Sequence, residues 1–162
     1  MILGMIEKNE TAAFSGHRII PAEKVDETRE KVRREIMVLY AKGVHVFLNG
    51  MALGFDMLAA EEAIALRKEL PYIKLIAVVP FRNQSIKWGT EDKNRWWNIL
   101  LQADEKIFLS EYYFDRCFLK RNDYMVERAG WLVCYFNGRP CGGTAYTYRM
   151  AKKKNIHISN LY

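Results

Sequence analysis

Six short apolar runs, at residues 11–15, 44–49, 73–79, 106–110, 131–136 and 156–159, alternate with segments of helical periodicity along this chain. That alternation leaves few architectures open. Runs that are apolar along nearly their whole length suit strands buried on both faces, and a helix in each connection lets successive strands run parallel. The sequence therefore predicts an α/β fold: a Rossmann-like, doubly wound, mostly parallel sheet with helices on both faces, in one domain over residues 1–162. The helical segments carry their own punctuation. Residues 21–42 put Val25, Thr28, Val32, Ile36, Leu39 and Tyr40 on one face and stop at Gly43, whereas 54–70 gather Phe55, Leu58, Ala59, Leu66 and Leu70 and stop before Pro71. Further helices fit 92–103, 115–129 and 144–154, and the polar stretch 82–95 is the one segment suited to a lid or mobile loop.

In such a fold, ligands sit beyond the carboxyl ends of the strands. Four polar loops are expected on that edge: Ser15-Gly16-His17-Arg18, the segment Asn49 to Asp56, Pro80-Phe81-Arg82, and Gly142-Gly143-Thr144. Two of them, Gly50-Met51-Ala52-Leu53-Gly54 and Gly142-Gly143-Thr144, follow a strand and open a helix, where free amides and the positive end of the dipole favour phosphate. The pair suggests one nucleotide-like ligand held from two sides. The first turn matches neither a dinucleotide fingerprint nor a Walker A loop, which argues against ATP hydrolysis.

Ser15, Gly16 and Arg18 supply a hydroxyl, a flexible backbone and a cation, a set suited to an oxyanion or a solvent-facing turn. His17 reads as a hydrogen-bonding residue more readily than as a base, because no partner is defined for it. Asp56 either complements the helix dipole or reaches a ribose or a metal. Arg121 falls inside the stripe Phe114, Phe118, Met125, Ala129, so a guanidinium lies on an inward helix face, there to pair with a carboxylate or to reach a phosphate. Asn122 is placed to bond the same ligand, and Thr144 serves as helix cap or phosphate donor.

The balance of 25 Lys and Arg against 19 Asp and Glu, a net charge of +6, favours an anionic partner such as a nucleotide or nucleic acid. Three cysteines, Cys117, Cys134 and Cys141, without a CxxC pair or histidines at zinc-ligand spacing, read as reduced thiols and predict no metal and no cofactor. Cys134 fits a core position, and Cys141 is the one beside a glycine loop. The absence of a leader pattern in Met1 to Glu10 and of any run long enough to span a membrane predicts a cytoplasmic protein with no membrane partner. Trp88, Trp96 and Trp97 suit a core or a homodimer surface better than base stacking.

Taken in order, Phe14-Ser15-Gly16-His17-Arg18, Gly50 to Asp56 with Ala59-Ala60-Glu61, Arg121-Asn122-Asp123-Tyr124-Met125-Val126 and Gly142-Gly143-Thr144 resemble the YpsA family across nearly the whole chain. That bacterial family belongs to the SLOG superfamily of Rossmann-like domains, with the DprA/Smf proteins that handle single-stranded DNA and the Lonely Guy phosphoribohydrolases. The resemblance implies a nucleotide-derived ligand held by Ser15, Gly16, His17, Arg18, Gly50, Met51, Ala52, Gly54, Asp56, Glu61, Arg121, Asn122, Gly142, Gly143 and Thr144. Lonely Guy enzymes use an arginine, matched here by Arg121, and a glutamate in the last glycine motif, whose position Thr147 holds. A hydroxyl cannot replace that carboxylate.

Three functions follow in order of expectation. The first is a sensor or regulatory domain binding a nucleotide or related phosphorylated ligand. The second is a nucleoside-phosphate glycohydrolase in which Glu61 or Asp56 stands in for the missing glutamate. The third, which the charge permits without favouring, is a DprA-like binder of single-stranded nucleic acid.

Overall fold

In a computed structural model that describes residues 6–162, the alternation becomes β1 (Thr11–Gly16), α1 (Val25–Ala41), β2 (Val46–Asn49), α2 (Phe55–Leu66), β3 (Lys74–Val79), α3 (Thr90–Gln102), β4 (Glu105–Phe108), α4 (Cys117–Arg128), β5 (Trp131–Tyr135), α5 (Gly143–Lys153) and β6 (His157–Asn160). The strands form one sheet in the order β4-β3-β2-β1-β5-β6, and every pairing is parallel. This is the Rossmann-like arrangement that the alternation predicts. Met1 to Met5, which open the expected domain span and the segment read for a leader, lie outside the described residues.

Side-chain alternation along the strands divides the interior between two helical layers. Ala12, Phe14, Phe47, Leu75, Ala77, Val79 and Val133 join Val32, Ile36 and Leu39 of α1, most of α2, and Trp96, Ile99 and Leu100 of α3. Ala13, Leu48, Ile76, Val78, Leu132 and Cys134 face the other way, onto Met125 of α4 and Ala145 and Ala151 of α5. Phe14 stacks on Phe47 at 5.6 Å and meets Phe55 edge to face at 6.3 Å, so three rings close the larger layer beneath the carboxyl edge. Each such ring contributes roughly 1.5–3 kcal/mol by leaving water.

From β1 the chain winds outward through β2, β3 and β4, then returns over the opposite face to place β5 on the far side of β1. The strand order reverses between β1 and β5, and a crevice opens at their carboxyl ends. Boundaries fall close to the periodicity reading, with two informative departures. The segment expected as helix over 54–70 ends at Leu66, where the Arg67 amide turns back to the Ile64 carbonyl and the Leu70 amide caps Leu66. The stretch 82–95 is no open lid: its last six residues belong to α3, and 82–87 are wound in successive turns. Gln84, buried beneath those turns, donates to the Gly50 carbonyl at 3.2 Å and accepts from the Trp96 indole at 3.1 Å, which fixes the loop to the core.

Candidate functional site

The crevice at the β1/β5 reversal is a cleft of about 450 Å³ lined by Ser15, Gly16, His17, Arg18, Ala52, Asp56, Phe118, Leu119, Arg121, Asn122, Cys141, Gly142, Gly143 and Thr144. Most of the residues expected there from the sequence meet in it. They come from the end of β1, the start of α2, the middle of α4 and the start of α5.

The turn between β2 and α2 is built for support rather than for grip. Asn49, wholly buried, accepts from the Met51 amide at 2.9 Å and donates to the Asp56 carbonyl at 2.7 Å, holding Met51 at a φ of 60°. The Ala52 amide donates to Asp56 Oδ2 at 3.3 Å, and the Phe55 amide donates to the His17 carbonyl at 3.1 Å. The Met51, Ala52 and Phe55 amides thus donate within the protein; Ala52 lines the cleft, while Met51 sits in the core. Gly54, at φ +77°, is required because a Cβ there would lie 2.3 Å from the Arg18 carbonyl oxygen. A Cβ on Gly50 would meet Arg121 Cδ at 2.7 Å, so this glycine makes room for the guanidinium.

Arg121 is 5% exposed. Its Nη1 donates to the Gly50 carbonyl at 2.5 Å and its Nε to Asn122 Oδ1 at 2.8 Å. Burial lowers the guanidinium's pKa while Asp56 opposes the change, and an arginine keeps its charge through such shifts. Asp56 is the counterpart. Burial pushes its carboxyl up to about 6, with Arg121, the Ala52 amide and Arg18 pulling the other way. Its Oδ1 is buried with no hydrogen-bond partner among the described residues, an arrangement that costs free energy unless a ligand donor meets it.

On the opposite wall α5 begins at Gly143 with Gly142 as its cap residue at φ +95°. The first amides of a helix have no acceptor within it, and Gly143 and Thr144 turn that end toward the cleft. Arg18, exposed at the mouth, lies over the Phe118 ring at 5.0 Å. His17 accepts the Asn137 amide on Nε2 at 2.9 Å, so its one basic nitrogen is occupied and its proton sits on Nδ1. Burial lowers the imidazole's pKa, the Asn137 bond raises it, and Arg139 nearby lowers it again. The ring is a neutral strut between β1 and the β5 loop.

Glu61 is not brought to the cleft. It bonds Arg95 of α3 and lies 3.5 Å from Arg29, in a separate depression between α2 and α3. Five residues from Asp56 is well over a turn around a helix, a spacing that already places it on another face. Thr147, 1% exposed, donates to the Gly143 carbonyl at 3.0 Å. Sequence reasoning did not single out Asn49 or Gln84 for the site, nor Leu119 as a lining residue. Phe118, read only as part of a stripe, stands three residues before Arg121 and shares its face. Cys117 and Cys134 are buried, the latter with its thiol pushed up to about 12 by burial, and Cys141 is exposed at the cleft.

Comparison with known proteins adds a family and a fold. The family model YpsA, described as the YspA SLOG family, matches residues 21–160. A UPF0398 protein of Halalkalibacterium halodurans is 30% identical over 129 residues, 78% of this chain and 68% of that protein. The UPF0398 protein YpsA of Bacillus subtilis is 23% identical over 128 residues, 78% of this chain and 71% of that protein. DNA processing protein A (DprA) of Streptococcus pneumoniae superposes with a TM-score of 0.61 at 16% identity over 91% of this chain. The Helicobacter pylori DNA processing protein A, described for its single-stranded DNA binding mode, gives 0.58 at 20% identity over 95%. This chain spans 48% of the first of those two structures and 66% of the second, and the likeness to them is one of fold.

Proposed function

The chain belongs to the YspA SLOG family, and from that membership and the chemistry of the cleft we propose that it binds a nucleotide or nucleotide-derived phosphorylated ligand as a cytoplasmic sensor or regulatory domain. The observation that carries the reading is the cleft in which Arg18, Arg121 and the start of α5 meet Asp56, whose buried Oδ1 has no hydrogen-bond partner among the described residues. A ribose hydroxyl is a donor suited to the Asp56 carboxyl at this wall. A phosphate suits the amides of Gly143 and Thr144, with Arg18 at the mouth as counter-charge.

The glycohydrolase alternative narrows to a single group. Thr147 gives its hydroxyl to the backbone, Glu61 is engaged by arginines elsewhere, and Asp56 is the one carboxylate among the described residues lining the cleft. Glycoside cleavage ordinarily divides acid and base work between two carboxyl groups. Incubation with nucleoside 5′-monophosphates is expected to release no free base; turnover abolished by Asp56→Asn would promote the enzyme.

Support for the nucleic-acid alternative comes from the DNA processing proteins that share the fold and from the net charge of +6. For the homodimer it comes from Trp97 and Leu101 on α3, 52% and 71% exposed, and sedimentation of a Leu101→Glu variant reads that state. No helix among the described residues is long and apolar enough to cross a membrane. Native mass spectrometry of freshly purified protein tests the leading reading: a co-purifying phosphorylated nucleoside is the expected mass. Binding of single-stranded oligonucleotides without binding of mononucleotides would replace it with the nucleic-acid alternative.

A further inference from the structure

Beside the charged cleft lies a second recess of about 400 Å³, beneath the loops that follow β3 and β4, lined mainly by Phe81, Ile86, Trp88, Tyr112, Tyr113 and Phe118. We propose that this recess seats the planar base of the ligand whose phosphate and ribose occupy the cleft, an inference that rests on the reading given under Proposed function.

Two observations join the recess to the cleft, and a third shows that it opens to solvent. Phe118 lines both. The guanidinium carbons of Arg18 and Arg121 lie 5.0 and 5.7 Å from its ring centre, and Phe81 and Tyr113 meet it edge to face at 6.1 and 6.4 Å. The Gly50 carbonyl is shared as well. It accepts Arg121 Nη1 from the cleft wall and Gln84 Nε2 from the recess floor, so a single backbone oxygen sets the position of both chambers. Lastly, the rim is apolar yet wet: Ile86, Tyr112 and Tyr113 are 59%, 76% and 63% exposed, around a hollow whose floor is held rigid by the two hydrogen bonds of Gln84.

The occupant follows from the chemistry of the walls. Phe81, Tyr113 and Phe118 contact one another in edge-to-face pairs, leaving ring surface for a flat π system to lie against. An aliphatic chain would use the same area without needing aromatic rings. Asn83, Lys87 and Glu111 stand around the recess and offer both donors and acceptors to the edge of a heteroaromatic ring. Continuity with an anion site over Phe118 then makes that ring one end of a molecule whose other end is phosphorylated. Stacking on aromatic side chains tolerates different bases, so the recess selects for a base over none more strongly than among bases.

Calorimetric titration with adenosine, guanosine, cytidine and uridine 5′-monophosphates, and with ribose 5-phosphate, tests the assignment in the wild type and in Tyr113→Ala and Tyr113→Phe. Tyr113 is exposed, and an unchanged melting temperature verifies that its replacement leaves the fold intact. At least one nucleotide is expected to bind about tenfold or more tightly than ribose 5-phosphate, a margin of the size that base stacking provides. Tyr113→Ala is expected to erase most of that margin while leaving ribose 5-phosphate binding unchanged, and Tyr113→Phe to restore it. Equal binding of nucleotides and ribose 5-phosphate would overturn the recess and leave the cleft reading standing. A nucleotide preference indifferent to Tyr113→Ala would put the base elsewhere. Failure of all five compounds to bind would remove the cleft reading, and the recess with it.

Discussion

Helices α2 and α4 both start near the carboxyl edge of the sheet and each brings one charged side chain into the cleft, yet they are made in opposite ways. In α2 the run Phe55-Asp56-Met57-Leu58-Ala59-Ala60 is buried on every side, packed among α1, α3 and the sheet. Asp56 stands in that apolar surround with one oxygen bonded to the Ala52 amide and the other without a hydrogen-bond partner among the described residues. Helix α4 is amphipathic, turns Met125 and Val126 inward, and gives Arg121 the Gly50 carbonyl and the Asn122 amide oxygen as partners. The difference assigns their electrostatic parts. The arginine is a fixed positive charge, whereas the aspartate, pushed to about 6, gains or loses its charge near neutrality.

The sharpest way to break this comparison is at the start of α2. Gly54→Ala is expected to cost about 4 kcal/mol, combining backbone strain at φ +77° with a Cβ 2.3 Å from the Arg18 carbonyl. Chemical denaturation measures it, and a loss below about 1 kcal/mol would mean that the β1 loop moves freely against α2.

Next comes the titration of Asp56. A carboxyl whose folded pKa is raised from 3.8 to about 6 is most favourable to folding below pH 4 and loses that contribution as pH rises to 6. Asp56→Asn removes the dependence. The variant is expected to gain stability relative to the wild type between pH 4 and 7, by up to about 3 kcal/mol, because each tenfold change in proton affinity on folding is worth roughly 1.4 kcal/mol. Denaturation curves across that range read the difference; a flat difference would show that the carboxylate is ionised at no cost.

Arg121→Met sharpens the other half. Removing a buried, bonded cation is expected to destabilise by about 2 kcal/mol and to move the Asp56 titration higher, since the positive charge that lowers it most is gone. Smallest is Thr147→Val, expected to cost about 1 kcal/mol for one hydrogen bond to Gly143 and to leave nucleotide binding unchanged. Altered binding in that variant would mean that Thr147 reaches the ligand after all.

Much of the fold was legible because hydrophobic period and helix stops are local properties. The strand boundaries at Thr11, Lys74 and Trp131 lie where the apolar runs begin, within a residue. The convergence of Ser15, Asp56, Arg121, Asn122 and Gly143 was legible too, since a parallel sheet brings all its carboxyl-end loops to one edge. What sequence could not supply was the destination of backbone donors. Whether the Gly50–Gly54 turn holds a phosphate depends on the Asn49 side chain, Asp56 Oδ2 and the His17 carbonyl, and the last of these comes from another loop. The tethering of 82–88 by Gln84 depends likewise on partners more than ten residues away.

Calorimetric titration of the wild type with each nucleoside 5′-monophosphate and with its parent nucleoside tests the central claim most directly. Arg18→Ala, altered at an exposed cation of the cleft mouth, serves as the companion. At least one nucleotide is expected to bind about tenfold or more tightly than its nucleoside, as a charge-assisted phosphate contact requires, and the gap is expected to narrow in Arg18→Ala. Nucleotide and nucleoside binding with equal affinity, or no binding by either, would contradict a cleft built for a phosphorylated ligand.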